Sequence, residues 1–197
     1  HLRAFWRLFT RNRQPLNKVI TPDNASLLAA IEPYDNLCAW YWLNPMSMPE
    51  WDQIQMEIKH PRVAGLKLHA YWHPFKVHQA RPVFALAEET ALPVYLILGF
   101  GWIPSIITLL KEFPSVQVIF GYGGFPYFDK LWKLIQPIKN AAVDFASFHI
   151  DERGIFAAIR ALGAKRCMYG SDCPYNFKDE NNRFDYSQTI ERIRQLD

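Results

Sequence analysis

The sequence predicts an α/β fold, a (β/α) barrel of the TIM type whose first βα unit is short, irregular or missing. Three observations lead there. Six short apolar runs lack polar alternation, helical periodicity fills the segments between them, and polar or glycine residues gather after nearly every run. Continuous apolar strands suit a parallel sheet covered by helices. A series of alternating strands and helices gives either a doubly wound sheet or a closed barrel. No GxGxxG follows an early strand, and the polar strand ends suit a barrel, which opens all of them on one face.

The strand candidates are residues 37–43, 63–69, 93–98, 116–120, 141–148 and 166–169, with a weaker one at 18–21. Helical spacing is clearest in 82–91 (Val83, Leu86, Ala87, Thr90), 104–113 (Ile106, Ile107, Leu109, Leu110) and 151–162 (Ile155, Phe156, Ile159, Leu162). Pro104 suits a first helical turn and Gly163 a helix C-terminus. Strand starts recur about every 25–30 residues, one β-strand, helix and two loops. A full barrel takes about 250 residues, so 197 is short, with the deficit at the front. The whole chain, 1–197, reads as a single domain, with no internal repeat, low-complexity tract or linker.

Half of the chain is apolar and 15% aromatic, enough for a substantial core. A net charge of +3 gives no case for nucleic acid. Arg3, Arg7, Arg11 and Arg13 interleave with Phe5, Trp6, Leu8 and Phe9, the pattern of a covering helix with a wet arginine side or of a contact with an anionic surface. Cys38, Cys167 and Cys173 form no CxxC pair, which argues for a reducing compartment. No run is long and apolar enough for a membrane span, and charges interrupt the beginning as they would not in a secretory signal. The expectation is a cytoplasmic protein, with a homodimer suggested by its aromatic content.

Several segments together resemble the amidohydrolase superfamily. Gly65-Leu66-Lys67-Leu68-His69 is similar to its fourth-strand motif, 92–99 to the fifth strand, 114–124 with its paired glycines to the sixth, and 140–147 to the seventh. Met168-Tyr169-Gly170-Ser171-Asp172-Cys173-Pro174 resembles the eighth-strand signature, and Asn44-Pro45 the end of the third strand. Within the superfamily the chain looks most like the branch containing aminocarboxymuconate-semialdehyde decarboxylase, which groups metal-dependent hydrolases with decarboxylases, a class of lyase.

The resemblance implies a divalent metal, commonly zinc, at the strand C-termini. The ligands it implies are a His-x-His pair on strand one, histidines ending strands five and six, and the strand-eight aspartate. Imidazoles with one carboxylate suit zinc, and an open position lets a bound water ionise near neutral pH. Asp172 stands at the aspartate position, where it would be catalytic by orienting or deprotonating water. The strand-five place falls on Ile97, or on Leu98 if the register slips, and the strand-six place on Gly121 or Tyr122. Isoleucine and glycine cannot bind a metal. The remaining candidate ligands are His1, His69 and Asp172. The implied cofactor is therefore either zinc on that reduced set or none.

Each candidate has a structural reading beside the functional one. Asp172 also suits a carboxylate capping the next turn. Lys67, two residues before His69, shares its face and would bind a substrate carboxylate or pair with Asp172. His69 and His73 leave the fourth strand with Tyr71 and Trp72 between them and would line a pocket, whereas Pro74 breaks any helix joining them to His78. Residues 99–101 and 121–124 are glycine-rich ends that suit tight turns or an anion cradle. His149 is a proton-transfer residue or a helix-start histidine. Cys173 beside Asp172 would have a raised pKa.

The mouth is expected to be aromatic, from Trp42, Tyr71, Trp72, Phe100, Trp102, Tyr122, Phe125, Tyr175 and Phe177. Such a pocket suits a small-molecule ligand, with Lys67, Trp72, His73, Tyr122, His149 and Tyr175 as binding residues. Two functions stay open. One is a metal-dependent hydrolase or decarboxylase of a small organic acid, amide or lactone. The other is a catalytically inactive barrel, a pseudoenzyme, that binds a ligand or protein partner. Restoring Ile97→His with Gly121→His would raise metal affinity if the rest of the site survives.

Overall fold

The computed structural model describes residues 21–146, 150–172 and 178–183, with positions 185, 187, 191 and 194 beyond them. Six strands form one sheet in the order β1 to β6, each parallel to its sequence neighbour. They are β1 (Ala39–Trp42), β2 (Val63–His69), β3 (Val94–Ile97), β4 (Val118–Phe120), β5 (Ala141–Asp144) and β6 (Cys167–Met168). All six expected strands are present, most of them trimmed at the ends. The run expected at 141–148 stops being strand at Asp144. The weak candidate at 18–21 lies almost wholly outside the described residues.

Helices fill the connections: α1 (Asn24–Ile31), α2 (Trp51–Glu57), α3 (Arg81–Thr90), α4 (Ile103–Glu112), α5 (Asp129–Ile135) and α6 (Glu152–Leu162). Strand, helix, strand repeated with sequential parallel pairing is the arrangement of consecutive units of a (β/α) barrel. Pro82 and Pro104 stand in the first turns of α3 and α4, where a missing N–H costs nothing. Asp151 caps α6 by accepting the Gly154 N–H at 2.8 Å, and Gly163 ends it at φ 84. α1, α2 and α5 were not foreseen: each has only seven or eight residues and buries one to three of them, too little for a periodic signal.

The strands alternate between two faces. Leu66, Leu68, Leu96, Phe120 and Val143 join Val83, Phe84, Leu86, Ile106, Leu109 and Leu131 in one apolar core between sheet and helices. The other face carries Trp40, Trp42, Lys67, Tyr95 and Asp144, a mixed aromatic and charged set. Burying both faces explains why no strand reads as hydrophobic-in, polar-out. Among the described residues no helix is long and apolar enough to cross a membrane.

Arg166 fastens the last unit to the one before it. Its guanidinium donates to the carbonyls of Ala141 (2.7 Å), Gln136 (2.9 Å), Ile135 (2.7 Å) and Ile138 (2.9 Å), satisfying the C-terminal end of α5. Arg166→Ala strands several of these acceptors, and a loss of about 2–3 kcal/mol is expected in urea unfolding at pH 7. A change within experimental error would show that water replaces the guanidinium freely.

Candidate active site at the strand ends

Parallel register lines up the inner-face side chains in rows. Trp42, Lys67 and Tyr95 are Cα partners across β1, β2 and β3, and His69 is the partner of Ile97 one step further along. Lys67 therefore rises between two aromatic rings, its Nζ 5.0 Å from the Trp42 centroid and 5.6 Å from that of Tyr95. An ammonium gains from such ring faces where water is scarce. Burial pulls the Lys67 pKa below its ordinary value, while Asp172 and Asp144 push it back up. Both carboxylates thus favour the charged form of Lys67 through space.

Two carboxylates and two phenols make the centre of the site. The Tyr95 hydroxyl donates to Asp144 Oδ2 at 2.8 Å, and the Tyr122 N–H donates to Asp144 Oδ1 at 2.8 Å. The Tyr122 hydroxyl donates to Asp172 Oδ1 at 3.0 Å. Tyr122 is thereby held at both ends, by its amide on one carboxylate and its ring hydroxyl on the other. It sits just past β4 at φ 59, in the left-handed region, and these bonds offset the cost of that backbone. Burial raises the Asp172 pKa to about 6, opposed by the Tyr122 hydrogen bond and by Lys67, with Asp144 adding to the rise. Burial also raises Asp144, against the donors from Tyr95, Tyr122 and Ala146.

The loop after β2 folds back on its own strand end. The N–H groups of Trp72 and His73 donate to the His69 carbonyl at 3.2 and 2.9 Å. That turn buries His73 against Trp42, ring centroids 5.2 Å apart, and sets Trp72, a residue 55% exposed, beside His69 at 6.3 Å. His69 lies within this aromatic box, facing Trp42, Tyr71 and Tyr122 as well. Burial first, then the neighbouring Lys67 and His73, lower its pKa to about 3. Its Nδ1 is buried without a hydrogen-bond partner.

Of the residues expected at the site, Lys67, His69, Trp72, His73, Tyr122 and Asp172 are brought together here. His1, His149 and Tyr175 lie outside the described residues, as do Cys173 and Phe177. The Trp102 ring packs on Phe75 at 4.9 Å. His78 is exposed on the 3₁₀ turn Val77–Ala80, beside a separate surface groove of about 450 Å³ that Trp102 also lines. Tyr95 and Asp144 were missed, although an aspartate inside the apolar run Ala141-Ala142-Val143-Asp144-Phe145 was itself a signal, because a buried ionisable group needs partners.

The described donors do not fit the metal set that the resemblance implies. Ile97 is buried at the strand-five place. At the strand-six place, a Cβ on Gly121 would lie 2.3 Å from Ile97 Cδ1 and 2.5 Å from Tyr95 Oη, so side chains of β3 already fill that space. Among the described residues no group of three or more His, Cys, Asp or Glu is arranged to hold a metal. The two-histidine reconstruction therefore meets an obstacle invisible in the sequence: a side chain at 121 must displace the tyrosine that holds Asp144.

The fold is shared with solved structures of low sequence identity. An amidohydrolase from Burkholderia multivorans with bound zinc superposes with a TM-score of 0.68 at 13% identity, over 88% of this chain and 70% of that one. A protein from Pseudomonas putida described as a 2-pyrone-4,6-dicarboxylic acid hydrolase gives 0.64 at 20% identity, covering 89% and 71%. One of the same description from Acinetobacter baumannii, with citric acid bound, gives 0.67 at 15% identity, covering 91% and 73%. No curated protein matches the sequence. These likenesses show the fold and do not single out the decarboxylase branch. The amidohydrolase family model matches residues 16–188, nearly the whole of the chain, and with the six-unit parallel sheet it places this protein in the amidohydrolase family.

Proposed function

We propose that the strand ends form the active site of a hydrolase for a small organic carbonyl compound, a lactone or amide of an organic acid. The observation that carries this reading is the convergence of Lys67, Tyr122 and Asp172 at the ends of three different elements of one face. Asp172 accepts the proton of an attacking water, since a carboxylate near pH 6 is a competent general base at neutral pH. Tyr122 fixes the orientation of that carboxylate. Lys67 donates to the carbonyl oxygen, where negative charge develops as water adds. Trp42, Trp72 and His73 stand beside Lys67 and His69 and offer apolar contacts to a ligand. Relatives described as 2-pyrone-4,6-dicarboxylic acid hydrolases, one with citric acid bound, favour a lactone bearing carboxylates.

The test is a hydrolysis screen over small lactones, esters and amides of organic acids, run beside Asp172→Asn. The expected result is turnover of at least one lactone, with kcat lowered by about a hundredfold or more in the variant and KM little changed. A second readout separates a catalytic from a structural aspartate. Burial raises Asp172 above its unfolded value of 3.8, so the folded state binds this proton more tightly, and ionisation costs stability as pH rises from about 4 to 6. Asp172→Asn is then expected to be more stable than wild type at pH 8 by about 1 kcal/mol, a figure discounted for partial exposure.

A second reading has its own support. The space filled by Ile97 and Tyr95 favours a barrel that binds a small ligand without turning it over. Binding of a dicarboxylate such as citrate, lost in Lys67→Met and unaccompanied by hydrolysis of any compound in the panel, would establish that reading over the first.

A further inference from the structure

The family resemblance places a divalent cation at the strand ends, and the residues of this chain place a lysine there. We propose that the Lys67 ammonium supplies in this barrel the positive charge that the metal supplies elsewhere in the family, so that the site carries its cation covalently and does not take up zinc. This inference does not depend on whether the barrel hydrolyses anything, because it concerns what balances the Asp144 and Asp172 carboxylates.

Three observations carry it. The first is steric. Ile97 and Tyr95 occupy the volume into which a ligand at position 121 would project, and Tyr95 is anchored there by its 2.8 Å bond to Asp144. The places where the resemblance implies the strand-five and strand-six ligands thus hold no donor, and the space beside them is filled.

The second is the use of the acceptors. Asp144 Oδ2 takes the Tyr95 hydroxyl, and Oδ1 takes the Tyr122 N–H with a longer bond from the Ala146 N–H. Asp172 takes the Tyr122 hydroxyl. Carboxylate oxygens aimed at phenols and amides are lost to a metal unless those bonds are given up.

The third is electrostatic. Lys67 stands on the same sheet face as Asp144, its Nζ 5.0 Å from the Trp42 ring centroid and 5.6 Å from that of Tyr95, whose hydroxyl is bonded to Asp144. A dication placed among Asp144, Asp172 and His69 would face this ammonium in a poorly solvated pocket, where like charges repel far more than in water. His69, whose ring would be a metal ligand in the reduced set, is two residues from Lys67 on the same strand face.

The experiment uses the purified full chain, incubated with zinc chloride, freed of excess by gel filtration and analysed by plasma mass spectrometry, with zinc titration calorimetry alongside. Wild type and Lys67→Arg, which keeps the charge, are expected to retain well under stoichiometric zinc. Lys67→Met removes the cation and leaves two carboxylates and His69 uncompensated, so its zinc affinity is expected to exceed that of wild type by about tenfold or more. Stoichiometric zinc in the wild type, resistant to gel filtration, would overturn the proposal whatever the variants do. So would a folded Lys67→Met that melts at the wild-type temperature and gains no zinc affinity. Stoichiometric zinc in Lys67→Arg would likewise overturn the proposal, including where Lys67→Met folds poorly.

Discussion

Between pH 6.5 and pH 3 the wild-type chain is expected to lose stability relative to His69→Phe by roughly 1.4 kcal/mol for each pH unit, reaching several kcal/mol at the acid end. The sign follows from the environment of the ring. His69 titrates near 6.5 when unfolded and at about 3 when folded, because burial, and then Lys67 and His73, oppose its charged form. Below 6.5 the unfolded chain takes up a proton that the folded chain refuses, so folding is favoured above that pH and penalised below it. Trp42, Tyr71, Trp72 and Tyr122 face the ring and offer it no counter-charge.

Phenylalanine keeps the ring volume and the edge contacts. It forfeits no hydrogen bond at Nδ1, which has no partner to lose. Taking the difference between the two proteins matters because Asp144 and Asp172 are shifted up and gain stability over part of the same acid range. Urea unfolding of both proteins at several pH values gives the difference directly. Parallel stability curves would mean that His69 accepts a proton while folded, and with it that the aromatic box admits water or an anion.

Gly121→Ala is expected to cost about 1–3 kcal/mol, a large penalty for one methyl group. Glycine at 121 has φ −66 and ψ 156, a conformation open to any residue, so the backbone gives no reason for the loss. The cost is one of contact: the new methyl would meet Ile97 Cδ1 at 2.3 Å and Tyr95 Oη at 2.5 Å. Ile97 is fully enclosed, and moving Tyr95 breaks its hydrogen bond to a buried carboxylate. Ile97→Ala in the same chain makes room, so the double variant is expected to be more stable than the sum of the single changes predicts. Strict additivity in urea unfolding would show that the two side chains do not compete for one space. The same contact explains why a histidine cannot simply be restored at this place.

The order of the elements was legible in the sequence because each βα unit carries its own punctuation. Proline opens α3 and α4, Asp151 caps α6, Gly163 closes it, and the apolar runs mark strands buried on both faces. Such signals are local, and local chemistry is what a sequence displays. The short helices α1, α2 and α5 escaped because seven or eight residues barely complete two turns, and a face of one to three buried residues has no visible period.

The site divides along the same line. Lys67, His69 and Asp172 stood out as polar groups at strand ends, and parity along a strand placed the first two on one face. What bonds to what was decided elsewhere. Tyr95 and Asp144 lie 49 positions apart and meet only because β3, β4 and β5 pair in register. Tyr122 reaches Asp172 across 50 positions. The sequence by itself put Ile97 and Gly121, which have no donor atom, at the places where the resemblance implies metal ligands. Only the tertiary structure decided that their space is full, because occupancy is a property of side chains brought in from a neighbouring strand.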